Sequence, residues 1–154
     1  MIRLSMVVAL SGALTWGSAA GEREPVRVDF CTVVQHPRKF AGRVLEVRAL
    51  QTKLRKGEWG LLGDCWPPVL LVSPKDVSPP PDFTLEETPA FKMLLAARNE
   101  RVSFTATFVG RFDWRGSESS SGPGKSHRFG KSKMEMRFVL QRVSDPERIV
   151  LPYK

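Results

Sequence analysis

The chain has 154 residues, of which 42% are hydrophobic and 26% are charged, and its formal net charge is +8 with a pI near 10.0. This length allows one ordinary domain with a hydrophobic core, and no run beyond the first 20 residues is long and apolar enough to span a bilayer. The charge favours anionic partners such as nucleic acid, lipopolysaccharide or other anionic lipid, and acidic glycans; a generally basic surface is the alternative interpretation.

The first 20 residues have the pattern of a secretory signal peptide. Met1–Arg3 is a short positive start, Leu4–Trp16 is mostly apolar, and small residues precede Gly21, where we expect cleavage. The apolar stretch is shorter than the roughly 20 residues that a membrane-spanning helix needs, which disfavours an N-terminal anchor. We therefore expect residues 21–154 to form a single domain in the periplasm or outside a bacterial cell.

Two cysteines, Cys31 and Cys65, follow the leader. An even number of cysteines in an exported chain predicts a disulfide. The alternative is a reactive thiol or a metal pair, but the chain has neither CxxC spacing nor a cluster of histidines near them. The bond would tie a first helix to the turn between the second and third strands.

The sequence of the first half of the domain predicts one short helix and three strands. Asp29 is a candidate N-cap for a helix that ends before Pro37. Residues 44–53 alternate between apolar and charged side chains, which is typical of a half-buried strand. Short strands at 59–63 and 69–73 follow, separated by turns.

The second half predicts one helix followed by two long strands. After the proline-rich segment 74–82, a helix begins near Thr84 or, alternatively, at Thr88. The strands span 101–112 and 134–143, and a bulge or bend is expected at Gly110. The predicted apolar stripe of the helix is Phe91, Leu94 and Leu95. In the two strands, Arg111 and Arg137 are expected to face outward. The side chains expected to face the core are Phe104, Ala106, Phe108, Phe112, Met136, Phe138 and Leu140.

The order of these elements predicts the fold. Three strands, one helix and two further strands form the sequence of elements of an OB-type five-stranded β-barrel. We therefore expect an all-β domain with little helix, in which the main helix connects the third strand to the fourth.

One stretch of the chain also resembles a known group of proteins. Cys31 is followed by Pro37, Phe40 and Gly42 and then by a strand with Val47-Arg48, and Asp64 directly precedes the second cysteine. This pattern resembles that of small, uncharacterised exported bacterial proteins, a resemblance that implies structure but no activity. The order of elements also looks like that of bacterial periplasmic OB-fold proteins of the stress-induced kind.

A candidate ligand site follows from the two loops that frame the ligand face of an OB barrel. Both loops are basic, and tryptophans lie near them, including Trp66. Cations follow phosphates and aromatic rings stack on bases, so this composition suits single-stranded nucleic acid or another polyanion. We expect the two loops to lie on the same side of the barrel. The candidate residues are Arg55, Lys56, Trp59, Trp114, Arg115, Lys125, His127, Arg128 and Lys131.

Catalytic and metal chemistry have less support. The two histidines, His36 and His127, are too few for a zinc site, and the carboxylates Glu46, Glu58, Asp64 and Glu135 match no known motif. No cofactor is expected. The sequence favours an exported, non-catalytic OB-fold module for binding or envelope maintenance, with an anionic ligand. The alternatives are an extracytoplasmic single-stranded nucleic-acid-binding domain and, third, a secreted hydrolase or nuclease.

Overall fold

The computed structural model describes residues 24–54, 57–100, 102–115 and 136–149. The expected signal peptide and the end of the chain beyond Ile149 lie outside these ranges. In the described part of the chain, no helix is long and apolar enough to cross a membrane.

Six strands and three helices make up the described fold. The elements in chain order are β1 (Val26–Arg27), α1 (Phe30–Gln35), α2 (Pro37–Phe40), β2 (Val44–Lys53), β3 (Trp59–Leu62), β4 (Val69–Val72), α3 (Pro89–Glu100), β5 (Ser103–Trp114) and β6 (Met136–Ile149). A 3-10 turn at Pro74–Asp76 lies in the proline-rich segment that was predicted to be irregular.

Five of the strands close into a barrel. Their order is β2-β3-β4-β6-β5, and β5 pairs back onto β2. The β4–β6 pair is parallel and the other barrel pairs are antiparallel, while α3 connects β4 to β5. This is the OB topology, and it confirms the predicted fold class. The short strand β1 adds to the edge of β2 in parallel at Leu45 and Glu46.

The barrel interior contains the side chains that strand alternation predicted. Phe104, Ala106 and Phe108 of β5 are buried in the core, as are Met136, Phe138 and Leu140 of β6. The two strands pair antiparallel, with Phe112 opposite Phe138. The register is therefore as predicted, because a shift by one residue would have turned every one of these side chains outward.

Both long strands extend further than predicted. Asp113 and Trp114 continue β5, opposite Arg137 and Met136, whereas the sequence placed them in the loop. At its C-terminal end, β6 continues past Pro146 to Ile149. The register shifts beside Asp145, whose φ is +50°, so the extra residue of a bulge accommodates the proline within a paired strand.

The predicted irregularity at Gly110 is confirmed. The β5–β6 register shifts between Val109 and Gly110, and a Cβ atom on Gly110 would collide with the carbonyl oxygen of Val139. The backbones of the two strands approach too closely here for any side chain, which is why this position needs glycine.

Helices α1 and α3 begin at predicted caps, but the apolar stripe of α3 differs from the prediction, and α2 was not predicted. The carboxylate of Asp29 accepts from the Thr32 backbone at 3.0 Å, as expected for the cap of α1. At α3 the second candidate start is correct, because the Thr88 hydroxyl accepts from the Phe91 backbone at 3.1 Å. Leu94 and Ala97 are buried, but Leu95 is 39% exposed and its assignment to the stripe was wrong. The buried positions of α3 are therefore Leu94 and Ala97, three residues apart on one face of the helix.

A disulfide joins Cys31 to Cys65 across 34 positions of sequence, with the two Cα atoms 5.5 Å apart. It connects α1 to the turn between β3 and β4, which confirms the prediction. Beside it, Phe30 of α1 packs so close to Gly63 that a Cβ at that glycine would lie 2.8 Å from the ring. The helices α1 and α2 are thus held against the end of the barrel where this turn lies.

Candidate functional site

Three of the predicted ligand-binding residues lie in described parts of the chain. Trp59 begins β3, Trp114 ends β5, and Arg115 follows it. The other predicted residues, namely Arg55, Lys56, Lys125, His127, Arg128 and Lys131, lie outside the described residues. Their roles stay predictions.

The two basic loops leave the barrel at opposite ends. Eight residue pairs join β2 to β5, from Val44 opposite Arg111 to Gln51 opposite Phe104. The turn after β2 therefore lies beyond one end of these eight pairs, and the connection after Trp114 lies beyond the other end. At the usual rise per residue, the two ends of the paired region are roughly 24 Å apart. The expectation that both loops lie on one side was wrong. In an antiparallel pair, the exit of one strand lies beside the entry of its partner.

Trp59 is part of the packing at the end of the barrel where α3 lies. It stands opposite Lys53, and the guanidinium of Arg98 lies 5.0 Å from its ring centroid. In the amide orientation that satisfies hydrogen bonding, the side-chain oxygen of buried Gln51 accepts from Nε of Arg98 at 2.9 Å and from Nη2 at 3.2 Å. Burial lowers the pKa of the Arg98 guanidinium, because desolvation disfavours its charged form. One ring face of Trp59 is thus occupied by a side chain of its own domain.

Trp114 lies at the opposite end, among positive side chains. The guanidinium of Arg38, on α2, lies 5.6 Å from its ring centroid. Gly42 and Arg43 continue the β2–β5 pairing there, since Gly42 donates to Phe112 at 2.7 Å and Phe112 donates to Arg43 at 3.0 Å. This end therefore brings together α2, the start of β2 and the end of β5, which are distant in sequence.

A carboxylate between two arginines lies on the outside of the same end. Asp113 binds Arg111 through two contacts of 2.7 and 3.0 Å, and Nε of Arg137 donates to its Oδ2 at 2.9 Å. Arg137 was predicted to face outward, and it does lie outside the interior cluster, but it is only 9% exposed. It is covered because the strands beside it, β4 and β5, place Leu70 and Asp113 directly opposite.

We call these residues the basic end of the barrel. Four of its cations are exposed, and three of them were not predicted as site residues. The basic end consists of the exposed Arg38, Lys39, Arg43 and Arg115, the half-buried Arg111 and the buried Arg137, together with Trp114. The sequence predicted that the first helix ends before Pro37, so it placed Arg38 and Lys39 in no helix, and nothing local shows that this segment packs beside the end of β5. Arg115, by contrast, was predicted.

The positive charge of the chain is unevenly distributed along it. Among the described residues, lysines and arginines outnumber aspartates and glutamates by one, so seven of the eight net charges belong to residues outside the described ranges. The described barrel is thus close to neutral on the whole, and the basic end is a local excess of positive charge. The predicted basic connection begins beside it at Arg115 and ends beside it at Met136.

The outer face of β3 and β4, where OB folds commonly bind ligands, is apolar in this protein. Its outward positions are Gly60, Leu62, Leu70 and Val72. Leu70 is buried although it lies outside the interior cluster, and so are Val139, which is opposite Val72, and Val77 of the segment after β4. These four outward positions present no cation for phosphates and no aromatic ring for bases.

A groove of about 630 Å³ opens on the outer side of β2, beside β1 and the Asp145 bulge of β6. Its charges are largely paired with one another. Arg27 contacts Glu46 at 2.7 Å, and Arg48, which also lines the groove, contacts Glu147 at 3.0 Å. The groove therefore presents carboxylates and arginines in similar number, which does not suit a strongly anionic ligand.

Metal chemistry finds no support among the described residues, where no group of three or more histidine, cysteine or acidic side chains converges. His36 is exposed between α1 and α2. In comparisons with known proteins, no protein-family model matches the chain, and no match is found among curated proteins or solved structures. The OB assignment therefore rests on the strand order and register of this chain.

Proposed function

We propose that the protein is an exported, non-catalytic OB-fold module that binds an anionic ligand at the basic end of its barrel. The observation that carries this proposal is the convergence of four exposed cations, Arg38, Lys39, Arg43 and Arg115, from segments far apart in sequence. A carboxylate in the same region, Asp113, is held by Arg111 and Arg137, so the cations of the basic end outnumber this carboxylate.

Features of the chain around the basic end also support an anion-binding site there. The connection between β5 and β6, with the predicted residues Lys125, Arg128 and Lys131, begins and ends at this end of the barrel. Anions are attracted where positive charge exceeds negative charge locally, and the attraction weakens as salt screens it. The disulfide fits an oxidising compartment, in agreement with the proposed export.

A comparison of two triple variants tests the site. The first neutralises the basic end by Arg38→Gln, Lys39→Gln and Arg43→Gln. The matched control neutralises three exposed cations elsewhere by Lys75→Gln, Lys92→Gln and Arg148→Gln. Both variants lose the same net charge, so any difference between them reports position. The measurement is heparin binding as a function of salt concentration, with circular dichroism to verify the fold.

We expect the basic-end variant to bind heparin more weakly and to flatten the slope of log K against log salt by about three units, or about one per cation removed. The control variant should stay close to the unmodified protein. Equal losses in both variants would show that binding follows net charge alone, and the proposed site would then be abandoned.

A further inference from the structure

We infer that the anionic ligand is a lipid surface, on which the basic end docks while Trp66 enters the headgroup layer. This inference rests on the proposed function and adds the class of partner. It also assigns a role to Trp66, a side chain that contributes to no part of the core.

Trp66 is displayed on a rigid turn. Its side chain is 79% exposed, which is the largest value among the exposed large hydrophobic residues of the described chain. The residue before it, Cys65, is held by the disulfide to α1, and Pro67 and Pro68 follow it. Proline restricts the backbone and the disulfide fixes the turn, so little conformational freedom remains to be lost when the indole binds.

The turn with Trp66 lies at the same end of the barrel as the exposed cations. It directly precedes β4, which runs parallel to β6 with Leu70 opposite Arg137. The disulfide also joins this turn to α1, and α2, which carries Arg38 and Lys39, follows directly along the chain. A single exposed apolar side chain is common on soluble proteins. An exposed tryptophan at the same end of the barrel as four exposed cations, with Asp64 as the carboxylate of its own turn, is a more specific combination.

This combination suits a lipid surface better than a nucleic acid. Tryptophan favours the membrane interface, where its ring is in apolar surroundings and its N–H meets polar groups. Lysine and arginine near an anionic leaflet add affinity, and stable attachment needs such a second signal beside an apolar anchor. A single-stranded nucleic acid instead needs a lined groove with successive rings, and the outward positions of β3 and β4 provide neither charge nor rings.

Vesicle binding tests the inference on the full mature chain. The probes are phosphatidylcholine vesicles with and without phosphatidylglycerol, and binding is measured by flotation. We expect binding only with the anionic lipid, and we expect Trp66→Ser to weaken it roughly tenfold, the effect of removing part of the burial energy of a large side chain. The matched control is Met93→Ser, which removes an exposed apolar side chain from α3 and should leave binding unchanged.

Tryptophan fluorescence gives a second measurement. Brominated lipids quench an indole only when it enters the bilayer, so quenching should be strong in the unmodified protein and largely lost in Trp66→Phe. Heparin binding should be the same in Trp66→Ser as in the unmodified protein, because a soluble polyanion needs the cations and not the indole.

The outcomes separate this inference from the proposed function. Vesicle binding that does not change in Trp66→Ser, or the absence of quenching in the unmodified protein, would overturn the lipid inference and leave the anion site in place. Tighter binding of single-stranded DNA that depends on Trp66, without binding to anionic vesicles, would overturn it in favour of nucleic acid. Heparin binding that is unchanged in the basic-end triple variant would instead contradict the proposed anion site itself.

Discussion

Asp113 shows how a single side chain organises charge at the basic end. Its carboxylate holds both Arg111 and Arg137, and the exposed fractions of the three side chains lie between 10% and 19%. Taking these ions out of water is costly, so each depends on its partner. Strand alternation predicted the outward direction of both arginines, but it did not predict that the carboxylate joining them would come from an extension of β5.

We expect Asp113→Asn to have two opposite effects. It should lower the free energy of unfolding by roughly 3 kcal/mol, near the lower end of the range for breaking a buried ion pair. It should also strengthen heparin binding, because it removes a negative charge from the basic end. Urea unfolding and heparin elution measure the two effects. A variant with unchanged stability would show that other contacts of the arginines replace this pair.

The inward face of β5 makes a prediction at a single residue. Phe104 is 7% exposed, packs in the core and lies opposite Gln51 and Arg148. Phe104→Ala should lower the free energy of unfolding by roughly 3–5 kcal/mol, the range for deleting a buried ring. Its neighbour Thr105 points outward, so Thr105→Ala should cost at most about 1 kcal/mol. Similar losses in both variants, measured by urea unfolding, would contradict the register.

At the scale of elements, the disulfide connects the short helix α1 to the turn between β3 and β4. The helix α1 has six residues, which is too short to be stable without tertiary support. Its buried residues, Phe30, Val33 and Val34, pack on the barrel, and the disulfide links it to the β3–β4 turn. The helix therefore depends on the barrel for its stability, and the two cations of α2, Arg38 and Lys39, depend on α1 for their position.

Removing this disulfide by Cys31→Ser and Cys65→Ser should lower the free energy of unfolding by about 3–4 kcal/mol, from the entropy of closing a loop of this length in the unfolded chain. The same double variant should lose affinity for heparin if the position of α2 depends on the link. Thermal unfolding and heparin elution are the measurements. Unchanged stability would mean that helix packing alone fixes this end of the barrel.

At the scale of the whole molecule, charge and fold are separated. The described barrel is nearly neutral, and most of the net positive charge belongs to residues outside the described ranges. The ion pairs at the groove, such as Arg27 with Glu46, show how positive and negative side chains of the barrel surface cancel in net charge. A pI near 10.0 therefore says little about the barrel as a whole, and the local excess of positive charge around Arg38 and Arg43 is the physical basis of the proposed site.

The amino-acid sequence by itself determined the order of the five barrel strands and of α1 and α3, the inward residues of β5 and β6, the bulge at Gly110 and the cysteine pair. These features depend on local periodicity, on backbone freedom and on the even number of cysteines, all of which can be read along the chain. The ends of β5 and β6, the burial of Arg137 and the exposed Leu95 depend on which strands and helices pack together, so sequence patterns did not reveal them. Only the tertiary structure decided that the two basic loops leave opposite ends of the barrel. The pairing of β2 with β5 sets that geometry, since antiparallel neighbours exchange their entry and exit, and the same pairing brings α2 beside Trp114.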